Sequence, residues 1–218
     1  MPVITISRQF GAAGIAVGNL LAQRLDAELL DKAIIARVAV RLGIPEAEIE
    51  SYDERMPSFW QRVTSALASS SPEPMLVDLP YLEQVPTGTM QERLTTVTRA
   101  VIEEAAERGN AVIIGRGAAW ILGKRPGVLN VQLHASMDAR IRYLLARVEE
   151  IPVDARPEEK SLRDLCQSVD AARGEYVRRL YGVDWLDARS YDIAVDVGRL
   201  GIDKAADLIE TAAKALKQ

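Results

Sequence analysis

The feature that most constrains this chain is an alternation. Short, continuous apolar runs, rich in Val and Ile, take turns with longer stretches of helical period. Residues 3–6, 28–30, 111–114, 128–133 and 193–195 read as strands. Helices are predicted over 15–25, 31–42, 90–108, 118–122, 137–149, 157–180 and 202–216. Val17, Leu20, Leu21 and Leu25 share one side of the first of these, and Ala205, Leu208, Ile209, Ala212 and Leu216 recur with helical period in the last. Pro45 with Glu46 and Glu48 reads as a further helix start. A strand that is apolar at every position cannot leave one face in water. It must be covered on both sides, and strands separated by helices meet that demand as a parallel sheet. The fold class is therefore α/β: five parallel strands between two layers of helix.

The stretch 54–88 breaks the pattern. It carries Pro57, Pro72, Pro74, Pro80 and Pro86 with Ser69, Ser70 and Ser71, and reads as an irregular insertion in one domain spanning 1–218. No internal repeat is present.

Composition removes several classes of function. One cysteine, Cys166, excludes a disulfide framework and a cysteine zinc site within the chain. One histidine, His134, excludes a histidine cage, so no metal-binding residue is assigned. Both residues read as structural. A net charge of -4 argues against a general nucleic-acid partner. No apolar run approaches the roughly 20 residues of a membrane span, and no basic stretch precedes the apolar start, so a cytoplasmic protein is expected. Of 27 basic residues 21 are arginine, whose planar fork suits phosphate.

In parallel α/β sheets, ligands sit beyond the carboxyl ends of the strands. The first strand ends in Ser7-Arg8-Gln9-Phe10-Gly11-Ala12-Ala13-Gly14, and a helix follows at once. Small residues there let backbone N–H groups turn inward toward an anion at the helix N-terminus. Residues Gly11, Ala12, Ala13, Gly14, Ile15 and Ala16 are the candidate phosphate cradle. They contain neither the lysine nor the hydroxyl of the Gly-x-x-x-x-Gly-Lys-Ser/Thr motif. The third strand ends in Gly115-Arg116-Gly117, which places Arg116 at the same edge as an anion ligand. Between 137 and 185 stand Arg140, Arg142, Arg147, Arg156, Arg163, Arg173, Arg178 and Arg179. Most read as a solvated helix face paired with acids, with Arg173 and Arg179 as the candidates for stabilising transferred phosphate. Trp60, Trp120 and Trp185 read as packing residues, with stacking on a base as the second reading for Trp60.

These residues carry a resemblance. Ile4-Thr5-Ile6-Ser7-Arg8-Gln9-Phe10-Gly11, Gly14, Gly18, Asp31-Lys32, Val112 to Arg116, Asp170-Ala171-Ala172-Arg173, Tyr176, Asp184-Trp185, Tyr191-Asp192 and Leu200-Gly201-Ile202 look like the cytidylate kinase-like family, a branch of the phosphate-loop nucleoside monophosphate kinases. The match runs from about residue 3 to 210 and is weakest over 54–88. It implies a three-layer phosphate-loop kinase fold, an inserted lobe for the nucleoside monophosphate and a helical lid over 137–185. It also implies phosphoryl transfer from ATP, with Mg2+, to a pyrimidine acceptor such as CMP. By the match, residues 11–16 hold ATP phosphates, Arg116 holds the acceptor phosphate, Arg173 belongs to the lid with Asp170 orienting it, and Asp31 is the acidic residue near the site. Nucleotides are the expected partners, and a homodimer would let the insertion cover a neighbour's site.

Departures from the family pattern set the alternative. Relatives commonly read Gly-Ser-Gly-Gly-Arg-Glu where this chain reads Gly11 to Ala16, and Ile114 and Gly117 stand where cytidylate kinases carry acids. Arg8 is the nearby cation that can compensate, which makes it, with Arg173 and Arg179, a catalytic candidate. The alternative is a weakened protein that binds nucleotide and regulates.

Overall fold

The computed structural model describes residues 2–43, 89–148 and 157–216. The insertion at 54–88, the helix start at Pro45, Trp60 and Arg156 lie outside them. Five strands form one sheet: β1 (Val3–Arg8), β2 (Glu28–Leu30), β3 (Ala111–Ile114), β4 (Val128–His134) and β5 (Ile193–Asp196). The order is β2-β3-β1-β4-β5 and the pairings are all parallel. Helices α1 (Gly14–Leu25), α2 (Lys32–Leu42), α3 (Met90–Arg108), α4 (Ala118–Leu122), α5 (Met137–Val148), α6 (Glu159–Tyr181) and α7 (Val197–Ala215) complete the described part.

Alternation of side chains along β1 divides the core. Val3 joins Ile113 on one face, where Ile34 and Val38 of α2, Val97 and Val101 of α3 and Ile121 of α4 cover the sheet. Ile4 and Ile6 join Val112, Ile114, Val131 and Leu133 on the other, against Val17 and Leu21 of α1 and Ala205 and Ile209 of α7. This is the α/β three-layer arrangement the strand runs require. Each fully buried aliphatic side chain contributes roughly 1.5–3 kcal/mol. A smaller core of Ile141, Leu144, Leu162 and Cys166 joins α5 to α6, with Phe10 packed against it.

Local signals set the boundaries. Thr89 and Glu92 form a reciprocal capping box that starts α3. The last helix begins five residues earlier than its periodicity predicts, because Asp196 caps it, and the chain breaks helical geometry at Gly201. A buried polar rung locks the centre of the sheet: the Thr5 hydroxyl donates to Asn130 Oδ1 at 2.7 Å, and Asn130 Nδ2 donates to the Gly123 carbonyl at 2.9 Å.

Candidate functional site

β1 runs two residues past its predicted end. Ser7 and Arg8 keep pairing with Gln132 and Leu133, so the loop starts only at Gln9. It turns back through Gly11 and reaches α1 at Ala13, whose φ of 54° is left-handed. No side chain caps this helix. The first turn of a helix leaves N–H groups without helical partners, and its dipole adds positive potential. Ala12, Ala13 and Gly14 bring only small side chains or none to that end.

The neck of the loop is held from outside. Asp170 on α6 accepts the Phe10 N–H at 2.8 Å. Arg140 on α5 donates to the Phe10 carbonyl at 3.1 Å and also pairs with Asp170. Arg173 donates to the Arg8 carbonyl at 3.0 Å, and its guanidinium lies 6.0 Å from the centre of the Phe10 ring. Cys166 sits beneath, with Sγ 3.8 Å from the same Phe10 carbonyl. Burial pushes its thiol up to about 11, so it is a packing group at neutral pH.

The Arg8 side chain crosses the site. Its stem lies over Gly14, where a Cβ would fall 2.7 Å from Arg8 Cγ. Its guanidinium reaches Gly115, where a Cβ would fall 2.1 Å from Nη1. Gly115 has a φ of +76°, so it serves both the turn and the close approach. Arg116 follows at a φ of 55°. It lies close enough to Tyr176 of α6 to oppose the rise of that phenol, which burial nonetheless pushes up to about 12. Tyr176 is therefore a neutral phenol at pH 7.

Beyond Arg116 the wall is aromatic. The Tyr181 hydroxyl lies where a Gly117 Cβ would come within 2.5 Å of it. Tyr181 stacks on Trp120 at 5.7 Å, and Tyr191 meets Trp120 edge-on at 5.9 Å. Trp185 is buried, as a packing residue should be.

The predicted residues thus separate into groups. Arg8, the Gly11 to Ala16 stretch and Arg116 meet at the carboxyl edge of β1 and β3. Arg173 and Asp170 lie against the loop, with Arg173 bonded to main chain. Asp31 stands just past β2, with β3 between that strand and β1. Arg179 is exposed near the end of α6, within electrostatic reach of Tyr176. Arg140 departs from the solvated helix face on which its spacing places it. It is 5% exposed, and its partner Asp170 is thirty positions away, so no local spacing announces the pair. Among the described residues no cluster of three metal-ligating side chains forms.

A family model of the cytidylate kinase-like family matches residues 3–199. The chain belongs to the cytidylate kinase-like family. The cytidylate kinase of Pyrobaculum islandicum is 25% identical over 206 residues, which cover 94% of this chain and 89% of that one. The cytidylate kinase of Methanosarcina mazei is 24% identical across 98% of this chain and 97% of its own. An uncharacterized protein from Eubacterium ventriosum shares the fold at a TM-score of 0.67 and 19% identity, with 99% of each chain covered. Shikimate kinase from Bacteroides thetaiotaomicron aligns at a TM-score of 0.51 and 14% identity, over 98% of each chain. The fold of this cytidylate kinase-like chain is accordingly that of the phosphate-loop kinases. Family membership supports a nucleotide kinase. Among the described residues no helix is long and apolar enough to cross a membrane.

Proposed function

We propose that the chain transfers a phosphoryl group from ATP to a pyrimidine nucleoside monophosphate, CMP first among candidates. The observation that carries this reading is the course of Arg8, whose stem lies over Gly14 and whose guanidinium reaches Gly115. A loop without a lysine lacks the charge that phosphoryl transfer requires. Arg8 supplies a cation from the end of β1 instead, between the cradle of Gly11 to Ala16 and the acceptor side at Arg116. The cradle holds the donor phosphates through backbone N–H groups. Arg116 holds the acceptor phosphate, with Arg179 on the rim and Asp31 toward the acceptor. Arg173 acts through the loop it is bonded to. Mg2+ keeps most of its own water and is commonly held through one or two carboxylates and substrate phosphates. It would arrive on ATP, held by the nucleotide's own phosphates, with its charge shared over them. The chain works on soluble nucleotides in the cytoplasm, and a homodimer is compatible with that role.

A coupled assay with ATP, Mg2+ and a panel of monophosphates tests the reading. Turnover is expected, fastest with CMP. Folded protein that turns over no acceptor overturns it. A second reading rests on Ala12, Ile15 and Ala16, which give the loop no polar side chain. It holds that the chain binds nucleotide without turnover. Calorimetry with ATP, ADP and CMP separates the two.

A further inference from the structure

We infer that Arg140 is a positioning residue for the phosphate loop, which it aims by gripping the main chain at Phe10 jointly with Asp170. The inference rests on the phosphoryl-transfer reading and adds a residue to it.

Both main-chain polar atoms of Phe10, which lie in two successive peptide units, are taken by side chains. The Phe10 N–H goes to Asp170 Oδ1 at 2.8 Å, and the Phe10 carbonyl accepts from Arg140 Nη1 at 3.1 Å. The two side chains pair with each other, with 6% and 15% of their surfaces exposed. Arg173 extends the grip to the Arg8 carbonyl and stands 4.0 Å from Asp170. The stem of Arg140 also backs the next residue, since a Cβ on Gly11 would lie 3.0 Å from Arg140 Cβ. Three charged side chains from two helices thus converge on two main-chain carbonyls and one N–H at the loop's neck.

A buried ion pair is weak evidence for stability, because desolvation offsets its Coulombic gain. What this pair touches is more informative than its energy. A loop with no lysine and no hydroxyl must hold phosphate largely through main-chain N–H groups. Those groups point where their peptide planes point. Turning the plane at Phe10 re-aims the amides that follow it, and donors that must reorient at the moment of binding lose much of their value. One nitrogen of the Arg140 guanidinium, Nη1, donates to both Asp170 and the Phe10 carbonyl, so the two grips move together.

The test replaces the pair without leaving a buried charge. In the double variant Arg140→Met with Asp170→Asn, the amide oxygen still accepts from Phe10 N–H, and the methionine fills the stem's volume. Calorimetry reads the Kd for ATP with Mg2+, steady-state kinetics read KM for each substrate, and hydrogen exchange reads the amides of residues 9–16. Losing one or two well-aimed donors to phosphate should weaken ATP binding by about tenfold or more. The acceptor KM, set at Arg116, should stay within about twofold, a difference of ~0.4 kcal/mol. Loop amides should exchange faster while the sheet does not. A general packing role would instead shift both substrates together, or neither. A folded double variant with wild-type ATP affinity and wild-type loop exchange overturns the inference. Should the double variant not fold, Arg140→Gln removes the Nη1 donor with a side chain too short to span to Phe10, while Asp170 still faces Arg173 at 4.0 Å. It should show the same donor-side defect, and wild-type donor binding with wild-type loop exchange in that variant overturns the inference equally. If the wild-type chain itself binds no ATP, the kinase reading falls, while the exchange comparison still decides whether Arg140 holds the loop.

Discussion

Helix α6 meets the site twice, by different chemistry. Its middle turns carry Asp170 and Arg173, which reach the loop through directed, charged hydrogen bonds to Phe10 and Arg8. Its last turns carry Gly174, which lies against Trp185, and Tyr181, which belongs to the aromatic wall. A Cβ on Gly174 would lie 3.0 Å from Trp185, and Tyr181 is stacked on Trp120. The first contact fixes the direction of peptide groups and buries little apolar surface. The second buries large rings and fixes position by shape. Directed bonds are sensitive to small misplacement, whereas ring packing costs stability when it is disturbed. The charged end of the contact should therefore govern chemistry, and the aromatic end should govern stability.

Arg8→Ala is the sharpest way to break that division. The Arg173 bond goes to the main-chain carbonyl of Arg8, so the variant keeps the anchor and loses the cation. Removing a charged group that stabilises transferred phosphate costs on the order of 10²–10³-fold in kcat. Steady-state kinetics should show that loss with a melting temperature close to wild type. A large drop in melting temperature with kcat intact would mean that Arg8 is a structural arginine.

Gly117→Ala strikes the other end. The residue has a φ of +71°, and a Cβ there would sit 2.5 Å from the Tyr181 hydroxyl. An L-residue in that backbone region costs about 1–2 kcal/mol, and displacing the ring adds to it. Thermal or urea denaturation should show a loss of roughly 1–3 kcal/mol. Activity per folded molecule should change much less than in Arg8→Ala. An equal loss of kcat in stable protein would dissolve the distinction between the two ends.

The aromatic end and the loop differ in how far the sequence announces them. The sheet was legible because continuous apolar runs such as 111–114 and 128–133 have few other places to go. The loop was legible because Gly11 and Gly14 follow a strand directly. The extra length of β1 was not, since Ser7 and Arg8 look like loop residues and become strand only by pairing with β4. Arg140 is concealed more deeply. Its neighbours Arg142 and Arg147 sit in the same helical pattern, and only the tertiary approach of Asp170 distinguishes it. The Trp120, Tyr181 and Tyr191 wall likewise joins residues from three separate segments. What the residues reveal is period and local turn chemistry; what they conceal is which side chain of a regular face meets a partner from elsewhere.

Alkali gives the smallest effect and separates the two ends by titration. Burial is the main cause that raises Tyr176 and Tyr191 from an ordinary value of 10.0 to about 12. Tyr181 is raised by burial as well. Between about pH 10 and 12 the unfolded chain has released these phenolic protons and the folded chain has kept them. Stability must then fall as pH rises through that window, because the unfolded state binds fewer protons. Cys166, beneath the charged end, is raised from 9.0 to about 11 and contributes an earlier decline of the same sign. Tyr191→Phe should flatten the fall above pH 10, and Cys166→Ala should flatten it from pH 9. The hydroxyl of Tyr191 donates to the Trp185 carbonyl at 2.6 Å, so Tyr191→Phe also loses about 1 kcal/mol at neutral pH. The slope of stability against pH, measured by urea denaturation from pH 8 to 11.5, isolates the titrating part from that constant loss. A Tyr191→Phe slope identical to wild type above pH 10 would mean that the phenol is solvated and that the aromatic end is looser than its stacking distances imply.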